Sequence, residues 1–347
     1  MADVQVYEIS LREDEELAAL SCASSLAEEW HSVESQDFSK AALVTAQELP
    51  RRLREGLIEF RVDEPAPVCR IKGWRVSDDD IGRTPSRLQK RTCEVSLVHH
   101  EMFFFLCASL LGDPFSWAST QDGHLIQEIL PVAENMHCQL GTSSESELTW
   151  HTEDGFHPFR PDYVGLFCLR NPDHVATTVV TGDCLDLPQE WHELLAMPLF
   201  VVSSDYSHSA DGARSVAERQ GIDEQEFIRM SRLSHELAVH PNKVAVLYGD
   251  LRRPYLVANS CYMEQPEDER AREAIVGLIE GLDGALSEIV MEPGEILFID
   301  NYRAAHGRRP FVARYDGTDR WLKRINVTRD LRKSRSSRSS PSSRIIY

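Results

Sequence analysis

The chain reads as a mainly β fold with flanking α-helices, an antiparallel sandwich or barrel on helical supports. Two observations carry that expectation. From about residue 125 the sequence breaks into short apolar or β-branched runs separated by turns, among them Val164–Leu169, Thr177–Thr181, Val244–Tyr248 and Ile296–Ile299, which is how strands announce themselves. The first hundred residues instead carry apolar positions at helical spacing. Helices outside and many short strands inside suit a layered β core with helical supports.

Taken in order, Leu17, Leu20, Leu26 and Trp30 recur at near-helical spacing within 11–58, and a second helical segment runs from about Ala41 to Phe60. PAPVCRIKGW, Pro65 to Trp74, predicts a strand entered from a proline turn. Residues 93–111 predict one long helix, buried because Met102 to Leu111 is apolar almost throughout, and stopped by Gly112-Asp113-Pro114. The polar stretch 205–240 interrupts the strands; a long insertion in a compact domain usually has a function, and it reads as an active-site lid. Residues 266–287 predict an amphipathic helix before the last strands. RKSRSSRSSPSSRIIY, residues 332–347, is basic and of low complexity and predicts a disordered tail. The organisation expected is one domain over 1–331, with a helical N-terminal support to about 112, a core over about 113–331 and the tail beyond it.

At 347 residues, 42% hydrophobic and 27% charged, the chain has the composition of soluble globular material with an ample core. Its net charge of −19 argues against nucleic acid or anionic membrane as partner. The acidic N-terminus lacks the features of a secretory signal, and no apolar run approaches a membrane span. Eight cysteines, at 22, 69, 93, 107, 138, 168, 184 and 261, form no C-x-x-C pair and read as reduced thiols of a cytoplasmic protein.

The chemistry-bearing residues are His151 and Glu153, then His306 after the strand-like GEILFIDN, then Arg320 in RWLKRINVTRD. Two imidazoles and a carboxylate on one face of a metal leave the opposite positions open, the arrangement of non-haem Fe(II) oxygenases. An arginine returning to the same pocket on an alternating strand suits a carboxylate-bearing co-substrate, because its planar fork grips both oxygens. A zinc hydrolase could use the same three ligands but has no need of that arginine. A non-catalytic binding module of the same architecture has no need of the complete ligand set.

At these residues the sequence resembles the clavaminate synthase-like family of Fe(II)/2-oxoglutarate oxygenases, and within it the branch that hydroxylates free amino acids, with its arginine β-hydroxylases, asparagine oxygenases and citrulline hydroxylases. The resemblance runs from about Leu111 to Arg329 and rests on GDPFSWASTQDGHLIQEILP, QLGTSSESELTWHTEDGFHPFRPDYVGLFCLRNPD, LYGDLRRPYLVANSCYM and FIDNYRAAHGRRPF…RWLKRINV. It implies a double-stranded β-helix, or jelly roll, and Fe(II) with 2-oxoglutarate and O2 as co-substrates. It matches His151, Glu153 and His306 to the iron ligands and Arg320, with Thr178 near it, to the 2-oxoglutarate carboxylate. Arg324 matches the holder of the substrate α-carboxylate, Gln121 and Glu153 the contacts of its α-amine, and Thr142 or Ser143 a hydroxyl of the same clamp. His157 is expected outside the ligand set, since a fourth protein ligand would block the open positions.

One departure bears on the substrate. The arginine-specific branch is expected to carry acidic residues where this chain has Val257-Ala258-Asn259-Ser260-Cys261. Burying a guanidinium without carboxylates is costly, so the expected substrate has a neutral side chain such as that of citrulline, glutamine or asparagine, with Asn259 and Ser260 near its end. Arginine, with Asp205 or Asp211 of the lid as partner, or a carrier-tethered amino acid, is the alternative. The family implies specialised metabolism such as peptide-antibiotic biosynthesis.

Overall fold

The computed structural model describes residues 3–35, 37–88, 97–182, 185–204, 208 and 210–347. The N-terminal third is β1 (Val6–Ser10), α1 (Glu13–Glu29), α2 (Phe38–Thr45), α3 (Arg51–Asp63), β2 (Val68–Lys72), α4 (Asp78–Ile81) and α5 (Val98–Leu111). α5 is the described part of the buried helix expected over 93–111, of which residues 93–96 lie outside the described residues: every residue from His100 to Leu111 is buried, and Trp74 stacks flat on Phe103 at 3.9 Å. The helical support also contains more sheet than expected. β1 pairs in parallel with β2, and β2 joins the main sheet through Ile296–Ile299.

The strands that follow are β3 (Asp113–Trp117), β4 (Ile126–Ile129), β5 (Leu148–His151), β6 (Tyr163–Arg170) and β7 (Ala176–Thr181). After α6 (Gln189–Leu195), β8 (Phe200–Val201), α7 (Ala210–Arg219) and α8 (Glu224–Val239) come three two-residue strands, β9 (Lys243–Val244), β10 (Leu247–Tyr248) and β11 (Tyr255–Leu256). The chain closes with α9 (Glu269–Gly284), β12 (Ser287–Val290), β13 (Ile296–Asp300), β14 (Ala304–Arg308), β15 (Trp321–Thr328) and β16 (Ile345–Ile346). The main sheet runs β1-β2-β13-β6-β15-β3-β16 with β4 against β15, and the second runs β12-β7-β14-β5. The two sheets face one another as a jelly roll.

Alternation along the strands builds the layers. On β6 and β13, Phe167, Leu169, Ile296 and Phe298 pack against the helices. Their neighbours Leu166, Cys168, Leu297 and Ile299 pack between the sheets with Val179 and Leu322. Burial on both faces is why VGLFCL and ILFI are continuously apolar. The far side of the second sheet is covered by α6 and α9. Gly277 on α9 has no alternative there, since a Cβ would stand 2.0 Å from the Trp191 ring.

Residues 332–347 are ordered in the structure, against the expectation of a disordered tail. A composition rule overlooks what one arginine can organise. Arg338, 2% exposed, donates to the carbonyls of Leu331, Ser340, Pro341 and Ser343 and to Ser334 Oγ at 2.8–3.2 Å. β16 then pairs in parallel with Ser116–Trp117, and Tyr347 packs among Ala213, Val216, Phe227 and Met230. Among the described residues no helix is long and apolar enough to cross a membrane, and the six described cysteines are free thiols; Cys93 and Cys184 lie outside them.

Candidate active site

His151 ends β5 and His306 lies directly opposite it on β14. Glu153 follows His151 by two residues, where the strand turns away. Gly307 lets the two strands close beside the histidines: a Cβ there would meet Leu148 O at 2.4 Å. The ligand atoms of His151, Glu153 and His306 lie within 4.8 Å of one another, and Glu153 Oε2 is 3.7 Å from His151 Nε2 and 3.6 Å from His306 Nε2.

The protonation states suit a cation between them. His151 Nδ1 lies 2.9 Å from Thr149 O; a carbonyl only accepts, so the proton is on Nδ1 and the Nε2 lone pair faces inward. Burial holds His306 neutral by lowering its pKa, against the pull of Glu153. Burial opposes the Glu153 charge, but Arg324, His151 and His306 outweigh it and keep its pKa well below the usual carboxylate range. Glu153 Oε2 is buried and has no hydrogen-bond partner, an arrangement that is expensive in a protein interior unless a cation takes it up. The donor set therefore fits a metal of the Fe(II) class.

The sequence did not advertise what holds Glu153. Asn301, fully buried after β13, accepts from Glu153 N through Oδ1 at 2.8 Å and donates through Nδ2 to Glu153 O and Pro161 O at 2.9 Å. On the other side Arg324 donates to Glu153 Oε1 and to Gln127 Oε1. Gln127 is itself fixed by donating to Thr120 Oγ1 at 2.8 Å.

A cavity of about 260 Å³ opens in front of the triad. Because side chains alternate along β15, Leu322 and Arg324 face this interior together with Arg320, while Lys323 turns the other way to pair with Glu101 and Glu128. Arg320 is 5% exposed. No carboxylate pairs with it among the described residues, its Nε has no partner, and burial pushes its pKa down to about 10. Arg308 of β14 lines the same wall. It donates to Ser143 Oγ at 3.2 Å and Ser146 O at 2.7 Å, and burial, then Arg320, lowers its pKa to about 9. Two buried cations without a described counter-ion make this wall a receptor for an anion.

The other expected residues divide. Gln121, Thr142 and Asn259 line the cavity. Gln121 clasps the backbone of Glu128, donating to its O at 2.9 Å and accepting from its N at 2.8 Å. Thr142 Oγ1 accepts from Asn135 Nδ2 at 2.8 Å, and Asn259 Oδ1 accepts from the amides of Cys261 and Tyr262. Ser143 and Ser260 do not line it; their hydroxyls donate to Leu140 O and Trp150 O. Thr178 is off by one residue. It shares the outer face of β7 with Val180, whereas Thr177 lines the cavity and lies 3.4 Å from Arg320 Nη2, as a single-residue shift along a strand requires.

His157 stays outside the cavity: its Nδ1 accepts from Phe159 N at 3.0 Å, and burial holds its pKa near 3. No described residue of 205–240 lines the cavity either; α7 and α8 border a separate one of about 460 Å³ that includes Asp211. Asp205 lies outside the described residues.

Residues 186–326 match the taurine catabolism dioxygenase TauD, TfdA family. The chain is 40% identical to an enduracididine beta-hydroxylase from Streptomyces hygroscopicus, covering 98% of this chain and 99% of the relative. It is 38% identical to an L-ornithine/L-arginine 3-hydroxylase from Catenulispora acidiphila, covering 99% and 100%. The crystal structure of the non-heme iron oxygenase OrfP in complex with Fe, succinate and (3S)-hydroxy-L-Arg superposes with a TM-score of 0.89 at 35% identity, over 99% of this chain and 100% of that one. The complex of the same protein with Fe and alpha-ketoglutaric acid gives 0.86.

Proposed function

The chain belongs to the TauD/TfdA family of Fe(II)/2-oxoglutarate-dependent dioxygenases, and on that premise we propose that it hydroxylates Cβ of free L-arginine or an arginine-derived amino acid. The expectation of a citrulline-like substrate gives way here, because the two full-length relatives at 40% and 38% identity are named for enduracididine and for ornithine and arginine, and the solved complexes hold arginine and its hydroxylated derivative. That expectation assumed a buried guanidinium. Beside Asn259, however, Cys261 is exposed and Tyr262 half-buried, so this part of the cavity meets water. A guanidinium held there by amide oxygens and an aromatic face keeps part of its hydration and needs no carboxylate.

In this reading His151, Glu153 and His306 hold the iron. Bound there with 2-oxoglutarate and O2, iron supplies the oxidant that replaces an unactivated C–H by C–OH, with succinate and CO2 as by-products. The single observation that carries the reading is the anion-receptive wall of Arg320 and Arg308 beside a complete His/Glu/His set. Arg320, with Thr177, takes the distal carboxylate of 2-oxoglutarate; a zinc hydrolase would have no occupant for that wall. Arg324 takes the substrate α-carboxylate while Glu153 Oε1 and Gln121 face the α-amine. Holding both ends of the amino acid fixes which carbon lies nearest the metal.

The test is succinate release from Fe(II)-loaded protein given 2-oxoglutarate, O2 and one amino acid at a time. Arginine-stimulated succinate, with a product one oxygen heavier at Cβ, supports the reading. Turnover of citrulline or asparagine with arginine inert overturns the guanidino substrate, and no binding of 2-oxoglutarate overturns the function.

A further inference from the structure

The described residues of the insertion, His208 and 210–240, do not border the metal cavity, yet they are tied to it. Between α7–α8 and the body lies the cavity of about 460 Å³, with Trp117 and Phe156 on one side and Ala213, Phe227 and Ser231 on the other. The insertion is thus seated by an apolar cluster with Ala118 and Tyr347, while on the Trp117 and Phe156 side an open space leaves polar ties to make the connection. One tie is Arg219 to Asp122 at 2.9 Å. Another is His208, whose Nε2 is 2.8 Å from Asp154 Oδ1 and whose Nδ1 is 2.7 Å from Ser119 Oγ. A carboxylate only accepts, so Nε2 carries the proton and, in the neutral ring, Nδ1 accepts from the serine.

Asp154 follows Glu153 directly. Its φ is +50°, a left-handed conformation that an aspartate tolerates but does not prefer. Such a residue persists where its surroundings over-determine it. What determines it is visible: its side chain is 6% exposed, Oδ1 takes the His208 proton and Oδ2 takes the Trp117 Nε1 proton at 2.5 Å. Trp117 belongs to the rigid main sheet, whereas His208 belongs to the insertion. The second tie repeats the pattern, since Asp122 has φ +59° and adjoins Gln121 at +40°.

We propose that His208 is a positioning residue for the hydroxylation: through Asp154 it fixes the turn that carries Glu153, so that oxidation at the metal stays coupled to a seated insertion. Without the His208 bond, a buried carboxylate oxygen loses its donor, and the Asp154 side chain keeps Trp117 as its partner, so the turn that Asn301 and its own amides also hold loses its link to the insertion. Linkage is reciprocal: a seated insertion favours the native turn, and a fixed turn favours the seated insertion. The coupling half of the proposal rests on the hydroxylase reading; the insertion half does not.

The experiment compares His208→Ala and His208→Gln with the unsubstituted chain in two measurements. Hydrogen exchange over 210–239 in metal-free protein needs neither iron nor substrate. Loss of the clasp should speed it roughly tenfold in His208→Ala, the weight of about one charge-assisted hydrogen bond, and His208→Gln, whose amide can donate to Asp154, should restore most of the protection. With Fe(II), 2-oxoglutarate and arginine, the ratio of succinate to hydroxylated product should rise several-fold in His208→Ala and return in His208→Gln. If His208→Ala does not fold, His208→Leu makes the same comparison with its bulk kept. Unchanged exchange or an unchanged ratio in the alanine or leucine variant overturns the proposal, as does a glutamine variant equally impaired. Failure of the unsubstituted chain to use arginine counts against the substrate reading and leaves the exchange result standing.

Discussion

Replacing Arg320 by methionine should make the ligand-free protein more stable and the 2-oxoglutarate complex much weaker. In the structure the guanidinium is 5% exposed, has an unpartnered Nε and, among the described residues, reaches only Thr177 Oγ1 at 3.4 Å. Its pKa falls from 12.5 to about 10 through burial, which corresponds to about 3 kcal/mol of strain on the charged form. Methionine fills much of the volume without the charge, so most of that strain is released. At roughly 2 °C per kcal/mol for a chain of this size, the ligand-free Tm should rise by several degrees. Against this, 2-oxoglutarate loses two charge-assisted hydrogen bonds of about 1.5–3 kcal/mol each, so its affinity should drop by roughly two to four orders of magnitude. Thermal unfolding with and without saturating 2-oxoglutarate reads both effects in one instrument: the unsubstituted chain gains Tm on binding, as linkage requires, and Arg320→Met does not. A less stable ligand-free variant that still gains Tm with 2-oxoglutarate would refute the reasoning, because the arginine would then be a structural cation already satisfied.

Three further outcomes are expected. Asn301→Ala removes three hydrogen bonds that hold Glu153 and Pro161; it should lower stability by about 1–3 kcal/mol and weaken Fe(II) binding by roughly 10–100-fold, read by metal titration. Gly307→Ala forces a Cβ to within 2.4 Å of Leu148 O, so β5 and β14 must part and metal binding should be lost while far-UV circular dichroism stays nearly unchanged. His100 is buried, its Nδ1 accepting from Trp74 Nε1 at 2.9 Å, and burial followed by the neighbouring His99 lowers its pKa to about 3. Its unfolded-state pKa is near 6.5, so the unfolded chain binds the extra proton first. Stability is therefore full above about pH 6.5 and falls by about 1.4 kcal/mol per unit below it. That is the share of His100 alone; His157, whose pKa burial also holds near 3, adds its own, so His100→Gln should make the fall shallower by about 1.4 kcal/mol per unit without abolishing it, measured by denaturant midpoints at pH 6.5 and 4.5.

The parts of this site legible in the sequence are those set by local geometry. His151 and Glu153 sit two apart, His306 ends an apolar strand, and Arg320 and Arg324 share a face because four is an even spacing. Thr177 in place of Thr178 was a matter of strand phase, which β-branched runs such as TTVVT do not reveal. Asn301 and Gln127 act through partners 148 and 197 residues away, and no local pattern encodes such a distance. The ordered 332–347 segment escaped for a related reason: serine-rich sequence looks solvated until a buried guanidinium such as Arg338 gathers its carbonyls. The substrate side chain was the least legible, because the cost of holding a cation depends on how much water reaches it.

The pairing of β16 with β3 has a kinetic side. Among the described residues β3 pairs with β15 and β16 only, and the Arg344–Asp113 contact beside it spans 231 residues. During vectorial synthesis Pro114–Trp117 must wait, edges bare, until nearly all the rest has been made. Late, non-local pairing of this kind slows folding, and an unpaired apolar edge invites pairing with another nascent chain. Shortening the chain before Ile345 should therefore be felt first as aggregation during expression, before any loss measured on the purified enzyme.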